Sequence, residues 1–526
     1  MKATNDCFLK VVFVLMAGGL SAGAQDRPWV DRDGFPEAYS ILTSDHIMFP
    51  DNITDWPMKI DSSRQLFVDD YVISSMYNLS RQFHAVKKHD GNPLMPGQPV
   101  AVFYDETSGR FRMWYDRHYA ESDDGINWTK PDLGPNGNMI ISDHGEVRGF
   151  IYNPDLPEQD GRYKIVFEIR YNAQTGEPGG FYLYHSRDGR KWHRRPQGPI
   201  LQRTYNHMMS YEPEPAETAA GRAFQWHQPD HFQSNGVGDT SIFQYDRVLK
   251  KYTCSAKFNI YMPPEKFKEL GVVPDGKWRL RLRAFMESDD LIHWSAPRFL
   301  LFPDRHDAPD CQIYSHIGFP YESMWIGMIR IMHIIPAGFK QVDLQIAYSR
   351  DGRHWLRPLH REPFIPLGTE DSWEADYSCF TKYPPTPVGD ELWFYYYGSR
   401  NGQRDNLDHW GPLSIGLAKL RRDGFASLNA GENAGKIITR PLTFGGSRLF
   451  VNADVQKDGW VKASVLTRDS KPLTSYSLDD SVALTEDTTK GSMVWKSRAR
   501  LVPPGDEHIR LLFQLKNARL YSFWIE

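Results

Sequence analysis

Five carboxylates stand at the thresholds of short apolar runs. Glu146 lies six residues before Tyr152, and Asp239 lies six before Tyr245. Asp310 precedes Gln312-Ile313-Tyr314, and Glu374 and Asp376 precede Tyr377-Ser378-Cys379-Phe380. Strand alternation would send Glu374 and Asp376 to one side. Carboxylates brought to one point can divide the work of acid–base chemistry: one protonated as acid, another ionised as base or nucleophile. Asp69 and Asp70 form a further acid pair at a strand end, where turn and arginine contacts are the expected use.

The elements that would position these acids repeat along the chain. Ser122-Asp-Asp-Gly-Ile-Asn-Trp128 returns as Ser186-Arg-Asp-Gly-Arg-Lys-Trp192, Ser288-Asp-Asp-Leu-Ile-His-Trp294 and Ser349-Arg-Asp-Gly-Arg-His-Trp355. A decayed copy runs from Arg422-Asp423-Gly424 to Leu428. Ser and Asp side chains bond nearby amides and Gly supplies positive φ, so each copy predicts a hairpin whose Trp enters the next strand. An aromatic strand precedes each copy, as in Arg110–Tyr115 and Tyr163–Phe167, and a shorter apolar strand precedes that. Four strands per unit of about 60–70 residues, five times over, predict a five-bladed β-propeller. The third unit is longer, and its Pro263–Gly271 segment reads as a short helix begun by Pro and ended by Gly. The Thr204–His231 loop is long enough to be a functional rim.

After Asn429–Lys436, a Gly/Ala/Asn-rich stretch read as a boundary, only alternating strands follow. The fold class is therefore all-β, with a propeller over 61–430 and a β-sandwich over 431–526. Residues 25–60 form an N-terminal extension, and Leu66–His84 is expected to close the ring or strap across it.

The 526 residues carry 62 Lys+Arg against 66 Asp+Glu, a net charge of −4 that predicts no nucleic-acid partner. Hydrophobic residues at 40% supply an ordinary globular core. Lys2, Lys10, the apolar run Val11–Leu20 and Ala22-Gly23-Ala24 read as a secretory signal peptide over 1–24, so a secreted or periplasmic protein without a membrane span is expected. Cys254, Cys311 and Cys379 are too few for a disulfide framework; one bridge or three buried thiols both fit. No Cys/His spacing matches zinc, and no metal site is assigned.

Leu66-Phe67-Val68-Asp69-Asp70-Tyr71, the D-G-x-x-W hairpins, Gly416–Phe425 and the ending Leu520–Trp524 resemble exported bacterial members of the five-bladed glycoside hydrolase superfamily, which includes invertase-like and arabinanase-like families. The resemblance covers most of the mature chain. The invertase sequon W-M-N-D-P-N-G is absent, which argues against sucrose or fructan cleavage. In the resembled families the catalytic carboxylates come from the starts of innermost strands in different blades. The resemblance thus implies Asp239, Asp310 and Glu374 as the catalytic set, with Glu146 and Asp376 in reserve. Around the rim, Arg117, His118 and Arg400 offer donors to sugar hydroxyls or a carboxylated sugar. Tyr205, His207 and Trp226 of the long loop add stacking faces. The implied activity is cleavage of a poly- or oligosaccharide, with a funnel favouring exo attack. No cofactor is called for, and a calcium or sodium ion on the axis is compatible. Oligomeric state is not assigned.

Three other readings fit parts of the pattern. A non-catalytic carbohydrate-binding propeller would use the same carboxylates only to bond hydroxyls. A sialidase would need one more residue in each hairpin and six blades. A polysaccharide lyase would use Tyr or His as base, with Arg against a uronate.

Overall fold

The computed structural model describes residues 57–526, apart from 157–160, 171–175, 203–207, 211–236, 262–263, 275–278, 336–338, 402, 405–411 and 502–507. The fold is nearly all β. Among the described residues the one helix is Pro264–Leu270, opened by Pro264 and ended by Gly271 at φ 65°, as its sequence predicts. No helix among them is long and apolar enough to cross a membrane.

Strands from 99 to 421 fall into five antiparallel meanders. The first is Pro99–Asp105, Arg110–Tyr115 and His118–Ser122. The second is Glu146–Tyr152, Tyr163–Ile169 and Gly180–Ser186, with two short edge strands. The third is Ile242–Asp246, Lys251–Tyr261, Arg279–Ser288 and Arg298–Leu301. The fourth is Cys311–Tyr321, Met324–Ile335 and Phe339–Ser349. The fifth is Tyr377–Phe380, Glu391–Ser399 and Ser414–Arg421.

First strands lie beside those of their neighbours. Gly149 pairs in parallel with Phe243, joining the second and third meanders. Thr240 Oγ1 donates to the Tyr314 carbonyl at 3.0 Å, joining third and fourth. Val342 pairs in parallel with Tyr377, joining fourth and fifth. Lys382 N–H donates to the Val100 carbonyl at 2.6 Å, bringing the fifth back to the first.

The four hairpin motifs share one hydrogen-bond scheme. The Ser hydroxyl accepts the N–H of the following residue 125, 189, 291 or 352, each at 2.9 Å. The Asp carboxylate accepts the next two amides, at 2.8 Å in the first copy. Residues 125, 189 and 352 are Gly at φ 72°, 74° and 74°, and Leu291 takes the same left-handed conformation at 69°. The turns also clip meanders together. Trp114 Nε1 donates to the Gly189 carbonyl at 2.6 Å, and Tyr395 Oη to the Gly125 carbonyl at 2.8 Å.

The pairing of the segment before the first meander differs from expectation. Lys87–Lys88 and Met95–Pro96 complete the fifth meander by pairing with Ser414–Arg421. Leu66–Phe83 goes elsewhere: Gln65–Leu66, Ile73–Tyr77 and Ser80–Phe83 join a ten-stranded sheet with the C-terminal strands, as does Met58–Lys59. Its spine is the long pair Leu449–Thr467 and Ile509–Ile525. Phe67, Tyr71 and Val72 bury into the C-terminal core, while Leu66 and Val68 bury into the core of the fourth and fifth meanders. The stretch read as a boundary is a short connection, 431–434, between the sheet strands Ala426–Ala430 and Gly435–Thr439. Asp69 pairs with Arg350 and Asp70 with Arg81, the arginine contacts expected of them. Cys254, Cys311 and Cys379 are buried free thiols.

Candidate functional site

Charged side chains from all five meanders meet where the first strands converge. Glu146 and Arg148 stand at the start of Glu146–Tyr152, with Arg148 Nη2 2.9 Å from Glu146 Oε2. The Arg148 Nε donates at 2.6 Å to Glu168, the residue opposite Glu146 in the next strand. The Arg148 charge holds the Glu146 carboxyl below its usual range against the opposing effect of burial, and the Asp239 charge also acts on it. Nearly half of the Glu146 side chain stays open at 48% exposure, so it is accessible although protein surrounds it.

Asp239 sits just before Ile242–Asp246 and receives the Lys257 ammonium at 2.5 Å. Lys257 is buried in a strand between Ala256 and Phe258. Asp116 lies in the tight turn between the second and third strands of the first meander, at φ 48°. Its Oδ1 accepts the Gln98 N–H at 3.2 Å. Burial is the largest influence and lifts its carboxyl to about 6, with the Glu146 charge adding to the rise. The Glu146 charge thus reaches Asp116, and the two carboxyls are pushed in opposite directions, one toward the acid and one toward the carboxylate.

The fourth and fifth meanders contribute Tyr314, Arg330, Tyr377 and Lys382, and the third adds Arg281. Arg281 hydrogen-bonds Gln312. Arg330 hydrogen-bonds the Tyr377 hydroxyl, and its guanidinium lies 4.5 Å from the Tyr314 ring centre. Lys382 lies 5.4 Å from the Tyr397 ring, and burial lowers its ammonium to about 8.

The other expected acids take partners elsewhere. Asp310 faces His333 Nδ1 at 3.4 Å, whose Nε2 meets Asp343 at 3.0 Å. Burial disfavours the His333 cation, but Asp343 and Asp310 outweigh it and raise the pKa. Glu374 turns to the outer half of the fifth meander, where Lys88 reaches it at 2.7 Å beside Tyr396. Asp376 accepts Gln341 Nε2 at 3.1 Å on the seam between fourth and fifth. Glu374 and Asp376 diverge because the strand begins only at Tyr377, so alternation does not reach them.

Among the rim residues, Arg117 donates to the Ser142 and Asp143 carbonyls at 3.1 and 2.8 Å. His118 stacks on Tyr115 at 5.5 Å, and burial lowers its pKa. Arg400 meets exposed Asp371 at 2.9 Å. Tyr205, His207 and Trp226 lie outside the described residues.

Asp116, Arg148, Lys257, Arg281, Arg330 and Lys382 were not among the expected site residues. A signal for three of them is present in Ala256-Lys257-Phe258, Leu280-Arg281-Leu282 and Ile329-Arg330-Ile331: a cation inside an apolar strand is rarely buried unless paired.

The far ends of the same first strands line a cavity of about 510 Å³, with Phe103, Tyr152, Tyr245, Tyr321 and Tyr383 in its wall. Its Asp246 is engaged by the Trp325 indole at 2.5 Å. Larger cavities of about 640 and 610 Å³ lie at the seams with the C-terminal sheet. None of the three includes the Asp116–Glu146–Asp239 cluster.

No protein-family model matches the chain, and no curated protein matches it. Solved structures do. A glycosyl hydrolase from Bacteroides ovatus is 14% identical at a TM-score of 0.37, covering 65% of this chain and 94% of that one. A further glycoside hydrolase is 12% identical at 0.38, covering 66% and 92%. A fructofuranosidase from Schwanniomyces occidentalis is 9% identical at 0.34, covering 89% and 98%. Several similar solved structures are thus glycoside hydrolases, each at low identity and low superposition.

Proposed function

We propose that the chain is an exported glycoside hydrolase built as a five-bladed β-propeller, with a C-terminal β-sandwich, and that its reaction takes place on the propeller axis. One feature carries this reading: the Glu146 charge reaches Asp116, whose carboxyl burial lifts to about 6, while the Arg148 ion pair at 2.9 Å holds Glu146 down. Two such environments assign acid and base roles within one pair.

In this reading a glycosidic oxygen lies against Asp116, which donates its proton to the leaving group. Glu146, kept ionised by Arg148, acts from the other side on the anomeric carbon or on water. Asp239, anchored by Lys257, orients a hydroxyl of the bound sugar. A closed funnel favours attack at a chain end. A second reading, a carbohydrate-binding propeller without turnover, draws on the Asp239–Lys257 pair, which already gives that carboxylate a partner.

The test is release of reducing sugar from a panel of polysaccharides and aryl glycosides. Wild type should release product, and Asp116→Asn, Glu146→Gln and Asp239→Asn should each abolish or strongly reduce it while melting as wild type does. Binding by calorimetry with no release from any substrate would move the chain to the second reading.

A further inference from the structure

Most buried cations near the axis have their charge answered. Arg148 has two carboxylates, and Lys257 has Asp239. Arg283 is capped by the Thr240, Ser255 and Tyr314 carbonyls. Two cations differ. Arg330 is 5% exposed, and its one hydrogen-bond partner among the described residues is the Tyr377 hydroxyl. Its Nε is buried without a partner. Lys382 is also 5% exposed, and among the described residues its ammonium makes no hydrogen bond or ion pair, only the contact with the Tyr397 ring.

These two cations share a platform. Arg330 lies 5.1 Å from the Tyr377 ring, Tyr377 and Tyr397 are 5.9 Å apart, and Lys382 lies 5.4 Å from Tyr397. The Arg330 charge acts on Lys382, and the Glu146 charge reaches Lys382 as well, which puts the pair beside the proposed acid–base centre. Holding two like charges this deep without an anion is costly, because burial is offset only by pairing and hydrogen bonds. A guanidinium fork beside an ammonium, with a tyrosine hydroxyl at hand, matches a planar or tetrahedral oxyanion.

We propose that Arg330 and Lys382 form a seat for an oxyanion on the axis, filled by the carboxylate of an acidic sugar or by free phosphate. The seat rests on the glycosidase reading for its relevance to turnover, but its existence is tested by binding alone.

Calorimetry on the full mature chain compares D-glucuronate, inorganic phosphate and D-glucose. At least one anion should bind about tenfold or more tightly than glucose, and Lys382→Met and Arg330→Lys should each remove about tenfold of that affinity. Tighter binding of glucuronate identifies a sugar-borne carboxylate, and tighter binding of phosphate identifies the free anion. Anion binding no tighter than glucose, or unchanged in Lys382→Met, overturns the seat. Should a variant lose its cooperative melt, acetylation of Lys382 in wild type decides: the anion should slow it while glucose does not, and equal rates overturn the proposal. Anion binding with no product from any glycan would keep the seat and sink the hydrolase. Release from neutral glycans unaffected by Lys382→Met, with no anion binding, would do the reverse.

Discussion

Asp69 and Arg350 are 281 residues apart in sequence and meet in a two-armed ion pair, with Oδ1–Nη2 at 2.5 Å and Oδ2–Nε at 2.9 Å. Both side chains are buried, at 0% and 5% exposure. Asp69 belongs to the Leu66–Phe83 segment that joins the C-terminal sheet, and Arg350 to the hairpin of the fourth meander. The pair therefore ties the two cores together at their contact.

Removing one partner leaves an uncompensated buried charge. Asp69→Ala should cost about 3–5 kcal/mol in chemical denaturation, and a matched apolar pair at both positions should recover much of it. Burial would raise the Asp69 pKa, but the Arg350 charge and hydrogen bonds outweigh it and hold it below the usual carboxylate range. Its contribution is thus full above the unfolded pKa and is lost as pH falls through the lower folded one. Wild type should therefore lose more stability on acidification than Asp69→Ala does, as denaturation series below pH 4 would show.

The Asp116–Glu146 pair sets a pH profile. With the proposed roles, turnover requires Glu146 ionised and Asp116 protonated, so kcat/KM should fall as pH rises through about 6 and fall again in strong acid. Asp116→Asn should lower kcat by about 10²–10⁴-fold and erase the alkaline limb. A limb near 6 that survives this change would remove Asp116 from the mechanism.

Asp116 should also register in stability. Its folded pKa of about 6 exceeds the ordinary 3.8, so the folded chain holds this proton more tightly than the unfolded one. The stability this lends is complete below the unfolded value and lost as pH rises through 6. Asp116→Asn should therefore gain on wild type by on the order of 1–2 kcal/mol at pH 7–8 relative to pH 4, read from melts at the two pH values.

Glu374 and Lys88 hold the closing strand at 2.7 Å. Glu374→Gln should lower stability by about 1–3 kcal/mol and leave kcat within a few-fold. Loss of kcat with an unchanged melt would return Glu374 to the catalytic set.

Gly189 separates two costs. It sits at φ 74°, and a Cβ there would lie 2.6 Å from the Trp114 ring; Gly198, at φ 79°, has open space. Gly198→Ala should cost about 1–2 kcal/mol, for the left-handed backbone alone. Gly189→Ala should cost more, through the displaced tryptophan, and the difference in denaturation midpoints measures that clash.

The hairpin repeat was legible because its hydrogen bonds are local: each Ser and Asp bonds amides within three residues. The helix after Pro263 was legible for the same reason. The pairing of Leu66–Phe83 with the C-terminal sheet was not, because Phe67 and Leu66 choose their cores by contacts hundreds of residues away. Glu146 and Asp239 were visible as acids ahead of strands, and the structure brings these two to one cluster. Glu374 had the same look, but it precedes its strand by a turn that swings it toward Lys88. Asp116 was hidden in a hairpin whose sequence, Tyr115-Asp116-Arg117-His118, reads as a turn; its burial comes from the neighbouring meanders.

The interleaving of the chain ends also governs when folding can finish. Lys87–Lys88 waits for Ser414–Arg421, Ile73–Tyr77 waits for Gly435–Thr439, and Gln65–Leu66 waits for Ser522 and Phe523. None of these early strands can be satisfied by its own neighbourhood in sequence. These pairings span more than 300 residues each, so the sheets they complete depend on contacts of high sequence separation, which form slowly.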